Sequence, residues 1–599
     1  MGNLARLNHY YWDYKHLFIP GLIFAMVSAG FSVAVPIVVR EAVDSIPRFV
    51  NLYRLHEGTE LQGYFYSSFF VGLLLFGVII IALSLLSGVF SFLMRQTLVV
   101  ASRHIEYDLR NKLFEHLQRL SQNFYRQYST GDVIARATSD IENVRRYIGP
   151  AIMYIVRALV IIATAMTVML IISPKLTLYA LIPMPFLAVA VFFMARMAHS
   201  RSDAIQVQYS RLTSRVQEAL SGIRVLKAYT REEAEARAFD AESEAYKRRN
   251  LDLALVDSSF RPVFLLLIGL AEVIVVWLGG QLAAQGSITI GNIAEYMIYV
   301  AYMTWPVASM GFVITMIQRA SASMIRLNHI FDAEPDIADT DEVDEFVGEI
   351  AGSITFENVS FRYEKDGAWV LRDISFDVPA GSTLAIVGRT GSGKTTLVEM
   401  IPRLIEPTDG TVRIDGRRIQ EIPLDTLRSS IGYVPQEVFL FSDTVANNIA
   451  FGEQDATDEE IERAALEAAL LDNIRDFPEG FETFVGERGI TLSGGQKQRT
   501  SIARALIRLP SILILDDALS AVDTNTEATI LAYLRQHYGR RTVVIVSHRI
   551  SSVMDADLIL VLKDGRIVER GTHEQLLRED GLYADLHRKQ LLEQELETL

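Results

Sequence analysis

Cysteine is absent from all 599 residues, which removes disulfides, thiolate metal sites and a cysteine nucleophile from consideration. Basic charge is scarce where a nucleic-acid binder would need it. Residues 331–599 hold 27 Lys and Arg against 49 Asp and Glu, whereas residues 1–330 hold 30 against 23. Binding a phosphate backbone needs concentrated cations, so the acidic half excludes nucleic acid as a partner. The chain is also too long for one ordinary domain, and its uneven charge sets its two halves in different surroundings.

What the first half has in abundance is uncharged apolar sequence. Leu17–Val39 is a charge-free run of 23 residues, which as a helix rises roughly 35 Å and can cross a bilayer. It ends in "VVREAVD" with no small-residue cleavage site, so it reads as a retained span rather than a signal peptide. The preceding "HYYWDYKH" mixes aromatics with charge as an interfacial helix would. Further runs near 66–93, 150–172, 176–195, 262–284 and 291–316 bring the expected spans to six. The segments 94–149 and 196–261 carry 9 and 12 Lys and Arg, while the other connections hold only Arg40, Arg48, Arg54 and Lys175. Positive charge is retained inside, so the long segments, both termini and the whole second half are expected in the cytoplasm.

Charge within a span is costly in hydrocarbon and points to an ion pair, a cavity or a substrate. Glu272 in "GLAEVIVVW" and Glu295 on the sixth span are the candidate substrate-pathway residues, with Arg157 in "MYIVRALVI" a weaker one. Trp305 and Met310 could line the same pathway or simply pack.

After the acidic "DAEPDIADTDEVDEF", which places a linker at 331–353, strand-like alternation begins at Ile354. "TLAIVGRTGSGKTTLVEMI" reads as strand, glycine loop and helix, and Gly388, Gly393, Lys394 and Thr395 fit G-x-x-x-x-G-K-[ST]. Glycines let backbone N–H groups approach phosphate closely, the lysine reaches the β- and γ-phosphates, and the threonine hydroxyl is a Mg²⁺ ligand. The continuous run Gly388, Arg389, Thr390, Gly391, Ser392, Gly393, Lys394, Thr395 and Thr396 is the candidate ATP cradle. A second apolar strand, "SILILDD", ends in Asp516 and Asp517. Ligands gather at strand carboxyl ends in such sheets; Asp516 is the candidate Mg²⁺ ligand, and Asp517 would face the water that attacks the γ-phosphate.

Between these strands "LSGGQKQR" begins with Leu492, Ser493, Gly494, Gly495 and Gln496, which match the signature of the ATP-binding-cassette family. The chain resembles the exporter half-transporters of that family over nearly its whole length. The resemblance implies a helical membrane domain at 1–330 with six spans and long cytoplasmic extensions. An α/β P-loop NTPase cassette with a helical tail would follow at 354–599. It implies that Tyr363 stacks on adenine, that Gln436 senses Mg²⁺, that His548 senses the γ-phosphate, and that Asp523 in "SAVD" joins two nucleotide sites. "TFVGERG" at 483–489 is similar to the exporters' short loop, and 120–146 and 216–233 are similar to their intracellular loops. ATP and Mg²⁺ are the implied cofactors, and a bacterial inner membrane the implied location.

The family's residue after the strand aspartate is usually Glu, and here it is Asp517. Aspartate is shorter by one methylene, withdrawing its oxygens by roughly 1.5 Å. Cassettes of the family pair head to tail, each ATP lying between one glycine loop and the other chain's signature. An intact signature beside a shortened water-positioning residue predicts a heterodimer in which this chain's own site hydrolyses poorly. The alternatives are a homodimer in which Asp517 works, and an ATP-gated channel or regulator on the same scaffold. The expected substrate is a hydrophobic drug, lipid or peptide, in contact with membrane lipid.

Overall fold

The structure, a computed structural model, describes residues 2–339, 343, 348–535 and 541–597; part of the expected linker at 331–353 lies outside the described residues. The chain forms two compact units, Met1–Gln118 with Thr130–Ala333, and Arg119–Ser129 with Glu334–Leu599.

Among the described residues the first unit is built on six helices long and apolar enough to span a membrane: α1 (Lys15–Leu55), α2 (Leu61–Arg119), α3 (Thr130–Ile172), α4 (Pro174–Ser221), α5 (Glu232–Ala284) and α6 (Ile290–Phe331). At 41 to 59 residues they run well beyond the ~20 residues a hydrocarbon core requires, because their charged halves continue the helical pattern. Their shared core joins Val33, Ala165, Met169, Leu176 and Val275 to Tyr296 and Tyr299. Each tyrosine places its hydroxyl on a backbone carbonyl of another helix, Tyr299 on Val33 at 3.0 Å and Tyr296 on Met169. Ser28 and Ser32 of α1 meet Ser87 of α2 at 2.9 and 2.8 Å, a hydroxyl contact that lets two helices approach closely without a hydrophobic driving force. Among the described residues, none in the apolar stretch of α2 is fully buried. Phe70, Leu74 and Leu85 lie exposed on it, a face for hydrocarbon or a second chain.

In the second unit, β1 (Ile354–Phe361), β2 (Leu371–Val378), β4 (Asp409–Ile414) and β5 (Arg417–Arg418) make an antiparallel sheet in the order β2-β1-β4-β5. The other sheet runs β10-β9-β3-β8-β7-β6, from β3 (Thr383–Gly388), β6 (Ile431–Val434), β7 (Ile512–Asp516), β8 (Thr542–Val546), β9 (Leu558–Lys563) and β10 (Arg566–Gly571). Strands β3, β6, β7, β8 and β9 are parallel. Every residue of β3, β7 and β8 is buried, as continuous apolar runs covered on both faces require.

Candidate nucleotide site

Register, rather than sequence distance, brings the site together. Val546 of β8 pairs with Ile386 on one side and Asp516 on the other, so the loops leaving β3, β7 and β8 emerge side by side at the strands' carboxyl ends. A cavity of about 220 Å³ sits there, lined among others by Gly391, Lys394, Thr395, Gln436, Asp516, Asp517 and His548. Residues that the sequence separates by more than a hundred positions thus share one wall.

The glycine loop leads from β3 into α7 (Lys394–Glu399). Gly388 is required by a close approach: a Cβ there would lie 2.4 Å from the Leu562 carbonyl oxygen. Gly393 has φ +97°, in the left-handed region that side chains avoid. Lys394 is buried and donates to the carbonyls of Gly388 and Arg389 at 2.9 and 3.2 Å. Burial pushes its ammonium below the usual range, against the pull of Asp517 and Asp516. Among the described residues this ammonium is held only by its own loop's carbonyls, contacts it could exchange for other oxygen acceptors.

Asp516 is 1% exposed, and among the described residues neither carboxylate oxygen accepts a well-formed hydrogen bond. Burial drives its carboxyl up to about 6, the nearby Thr395 hydroxyl drawing it back and Asp517 adding to the rise. A buried carboxylate with both oxygens unsatisfied beside a threonine hydroxyl is a donor set that suits a hard divalent cation. Thr395, Asp516 and Gln436 are the residues that could hold Mg²⁺. His548 is half-buried, and burial with the neighbouring Lys394 lowers its imidazole below its ordinary value, keeping it neutral at physiological pH.

Asp517 adopts φ +50°. Its N–H donates to the Val546 carbonyl at 2.9 Å and its carbonyl accepts from the Ser520 hydroxyl at 2.8 Å, so its backbone is clamped on both sides. Aspartate is among the few residues that visit this region readily.

Other expected residues sit outside the cavity. Tyr363 donates or accepts at Thr396 Oγ1 (2.8 Å) and lines a different pocket. Ser493 caps α8 (Gly494–Leu506) in a reciprocal box with Gln496. The helix presents Gly495 to the 520–523 loop so closely that a Cβ would lie 2.9 Å from the Ala521 carbonyl oxygen. Asp523 receives the Thr526 N–H at 3.0 Å. Glu272 and Glu295 belong to the first unit. Glu295 is fully buried and receives Tyr299, Asn292 and Arg40 at 3.2, 3.4 and 3.4 Å, the pattern of a helix-joining ion pair. Glu272 is half-buried.

Several residues escape a reading by motif. Arg126 lies on the short helix Gln122–Gln127, in a segment that groups with the cassette unit. Its guanidinium covers the Tyr363 ring at 3.9 Å and reaches buried Glu399 at 3.5 Å; burial pushes the Glu399 carboxyl up, and Arg126 and Gln122 restrain it. Arg549 ties His548's loop to the 520–523 loop, donating to the carbonyls of Val522 and Ser520 at 2.9 and 3.0 Å and to buried Glu527 at 2.9 Å. Gln498 bridges α8 to Ser520 and Ala521 at 3.0 and 2.9 Å. Their sequence signal is position alone: Gln498 lies within "LSGGQKQR", Arg126 within 120–146, and Arg549 directly after His548.

Comparison with known proteins agrees with this architecture. Residues 17–307 match the ABC transporter transmembrane region and residues 371–520 match the ABC transporter cassette. YheI of Bacillus subtilis (strain 168), described as a probable multidrug resistance ABC transporter ATP-binding/permease protein, is 40% identical over 87% of this chain and 89% of its own. The multidrug resistance-like ATP-binding protein MdlA of Escherichia coli (strain K12) is 38% identical over 84% and 85%. A bacterial Atm1-family ABC exporter solved with ATP bound superposes with a TM-score of 0.76 at 27% identity, covering 96% of this chain and 99% of that one. The chain belongs to the ABC transporter family, as an exporter half-transporter: a multi-pass membrane protein that carries its own ATPase cassette and couples it to transport.

Proposed function

We propose that this chain is one half of a heterodimeric exporter of a hydrophobic or amphipathic substrate, in a bacterial inner membrane with its cassette in the cytoplasm. Its own ATP site is the slow one. The observation that carries this reading is a complete phosphate cavity whose single departure is Asp517, one methylene short on a clamped backbone. Two of the relatives above have multidrug in their names, which favours a hydrophobic or amphipathic cargo.

Gly388–Thr396 would wrap the triphosphate, with Lys394 trading loop carbonyls for the β- and γ-phosphates. Thr395, Gln436 and Asp516 would hold Mg²⁺, which when bound neutralises charge on the phosphates. His548, neutral through burial, would meet the γ-phosphate without adding a second buried cation beside Lys394. Asp517 would orient water from too far back, and displacement on this scale costs about a hundredfold in rate. Leu492–Gln496 would close over the ATP held by the partner's glycine loop, so this chain completes the faster site. Closure driven by ATP opens the membrane domain outward, and ATP can drive it only by binding the closed pair better.

Intact mass spectrometry of the complex purified from its native membrane tests the pairing. A second, different half-transporter in equal amount supports it; this chain alone overturns it. One observation favours a homodimer with a working Asp517: the φ of +50° at this position suits aspartate better than glutamate.

A further inference from the structure

A second cavity, of about 330 Å³, lies within the membrane unit, walled by Ser32 of α1, Tyr154 and Arg157 of α3, and Tyr302, Trp305 and Ser309 of α6. Its polar groups are one-sided. The Ser32 hydroxyl is engaged with Ser28 and Ser87, and the Ser309 hydroxyl with the Pro306 carbonyl. The Arg157 guanidinium, the Tyr154 and Tyr302 hydroxyls and the Trp305 indole N–H have no hydrogen-bond or ion-pair partner among the described residues. Among the described residues, no Asp or Glu lines the cavity. Glu295, the buried acid of the same helix, is already engaged with Arg40, and Glu272 is not part of the wall.

Depth makes the absence of a counter-charge matter. Arg157 lies about 15 residues from the end of α3 at Ile172, and Trp305 about the same distance from the start of α6 at Ile290. Both therefore sit some 22 Å along their helices from the same side of the membrane, still within a hydrocarbon layer of about 30 Å. A cation at that depth faces a cavity or a counter-ion rather than lipid tails. Here the exposed Arg157 side chain faces a cavity rich in donors and, among the described residues, lined by no carboxylate. Such a set solvates an oxyanion, the guanidinium offering two parallel N–H groups and the phenols and indole the rest. The aromatic faces of Tyr154, Tyr302 and Trp305 suit a flat or alkyl body beside that head.

We propose that this cavity receives the anionic head of an amphipathic substrate, a carboxylate, sulfonate or phosphate carried on an apolar body, with Arg157 as the residue that selects for the charge. The proposal rests on the export reading and names the class of cargo. Three probes with one body test it: 1-pyrenebutyrate, 1-pyrenebutanol and 1-pyrenebutylamine. The complex, purified from its native membrane with whatever chain accompanies it, is placed in zwitterionic nanodiscs, and binding is read from quenching of tryptophan fluorescence. The acid is expected to bind about tenfold more tightly than the alcohol or the amine. Arg157→Gln removes that preference and Arg157→Lys restores most of it, which loss of fold would not do. Equal affinities in the wild type, or an unchanged preference in Arg157→Gln, overturns the proposal. Nanodiscs that also contain phosphatidylglycerol separate the sources. Displacement of the acid from wild type identifies a lipid head as the natural ligand, and no displacement identifies a soluble amphiphile; either keeps the anion site. ATP-driven uptake into inside-out vesicles keeps the two ideas apart. Equal accumulation of all three probes leaves export standing and removes the anion site. Arg157-dependent binding with no accumulation of any probe leaves the site standing and removes the proposed export of this class of cargo.

Discussion

Replacing Asp517 by Glu restores the missing methylene and should speed hydrolysis at this chain's own site. Two opposing magnitudes decide the outcome. The added carbon advances the carboxylate by roughly 1.5 Å, and misplacement on the scale of 1 Å costs about a hundredfold. Against this, the residue occupies φ +50°, where a glutamate costs at most about 1–2 kcal/mol more than a residue suited to the left-handed region. That cost falls on the stability of the folded loop, not on the barrier once the loop is formed. The clamp from Asp517 N–H to Val546 and from Ser520 to the Asp517 carbonyl involves backbone atoms of residue 517 only, so the substitution leaves it in place and the extra length extends into the cavity. Single-turnover hydrolysis should rise at least about tenfold, equivalent to ~1.4 kcal/mol of barrier, with ATP affinity unchanged because Lys394, Thr395 and Asp516 are untouched. In the heterodimer proposed above, the assay uses the assembled transporter with the partner's water-positioning residue neutralised, so that only this site reports. An unchanged rate with unchanged ATP affinity would refute the account of a defective local site.

Lys394→Ala should cut ATP affinity at this site by at least about tenfold, since it removes the charge-assisted contacts to two phosphates proposed above; equilibrium binding of a fluorescent ATP analogue that matches wild type would sink the assignment. Arg549→Ala should lower turnover about tenfold while sparing ATP binding. It frees the 520–523 loop and leaves Glu527, 2% exposed, without its guanidinium, a loss of about 1–3 kcal/mol after allowing for the half-exposed arginine. Arg549→Lys should not rescue it, because one ammonium cannot replace the fork that reaches Val522, Ser520 and Glu527 together; full rescue would show that charge alone matters. Glu399→Gln tests pH linkage. Burial raises the Glu399 carboxyl above its ordinary 4.5, so its stabilising contribution is complete below that value and is lost as pH rises through the raised one. Urea midpoints of nucleotide-free wild type should therefore fall relative to Glu399→Gln across that rise, and parallel profiles would count against the burial argument.

Much of this protein is local chemistry and so is readable along the chain. A span is an uninterrupted apolar run, because hydrocarbon tolerates nothing else. A phosphate loop needs glycines and a lysine at fixed spacing, and "GRTGSGKTT" and "LSGGQ" supply their residues consecutively. Asp517 is visible as a departure for the same reason. What the sequence could not decide is which side chains find partners, since that depends on helices and strands far apart in the chain. Arg40, Glu295 and Arg157 are all charges at membrane spans by inspection. Only packing gives Glu295 its partners and leaves Arg157 facing an open cavity. Arg126 lies in the 120–146 segment that resembles an intracellular loop, yet only folding sets its guanidinium on Tyr363. The φ at Asp517 follows from the clamp between β7 and β8, a consequence of strand register. Residue types and spacing were determined by sequence alone. Partner, burial and backbone angle were decided by the tertiary structure, because each is a relation between segments that meet only once the chain has folded.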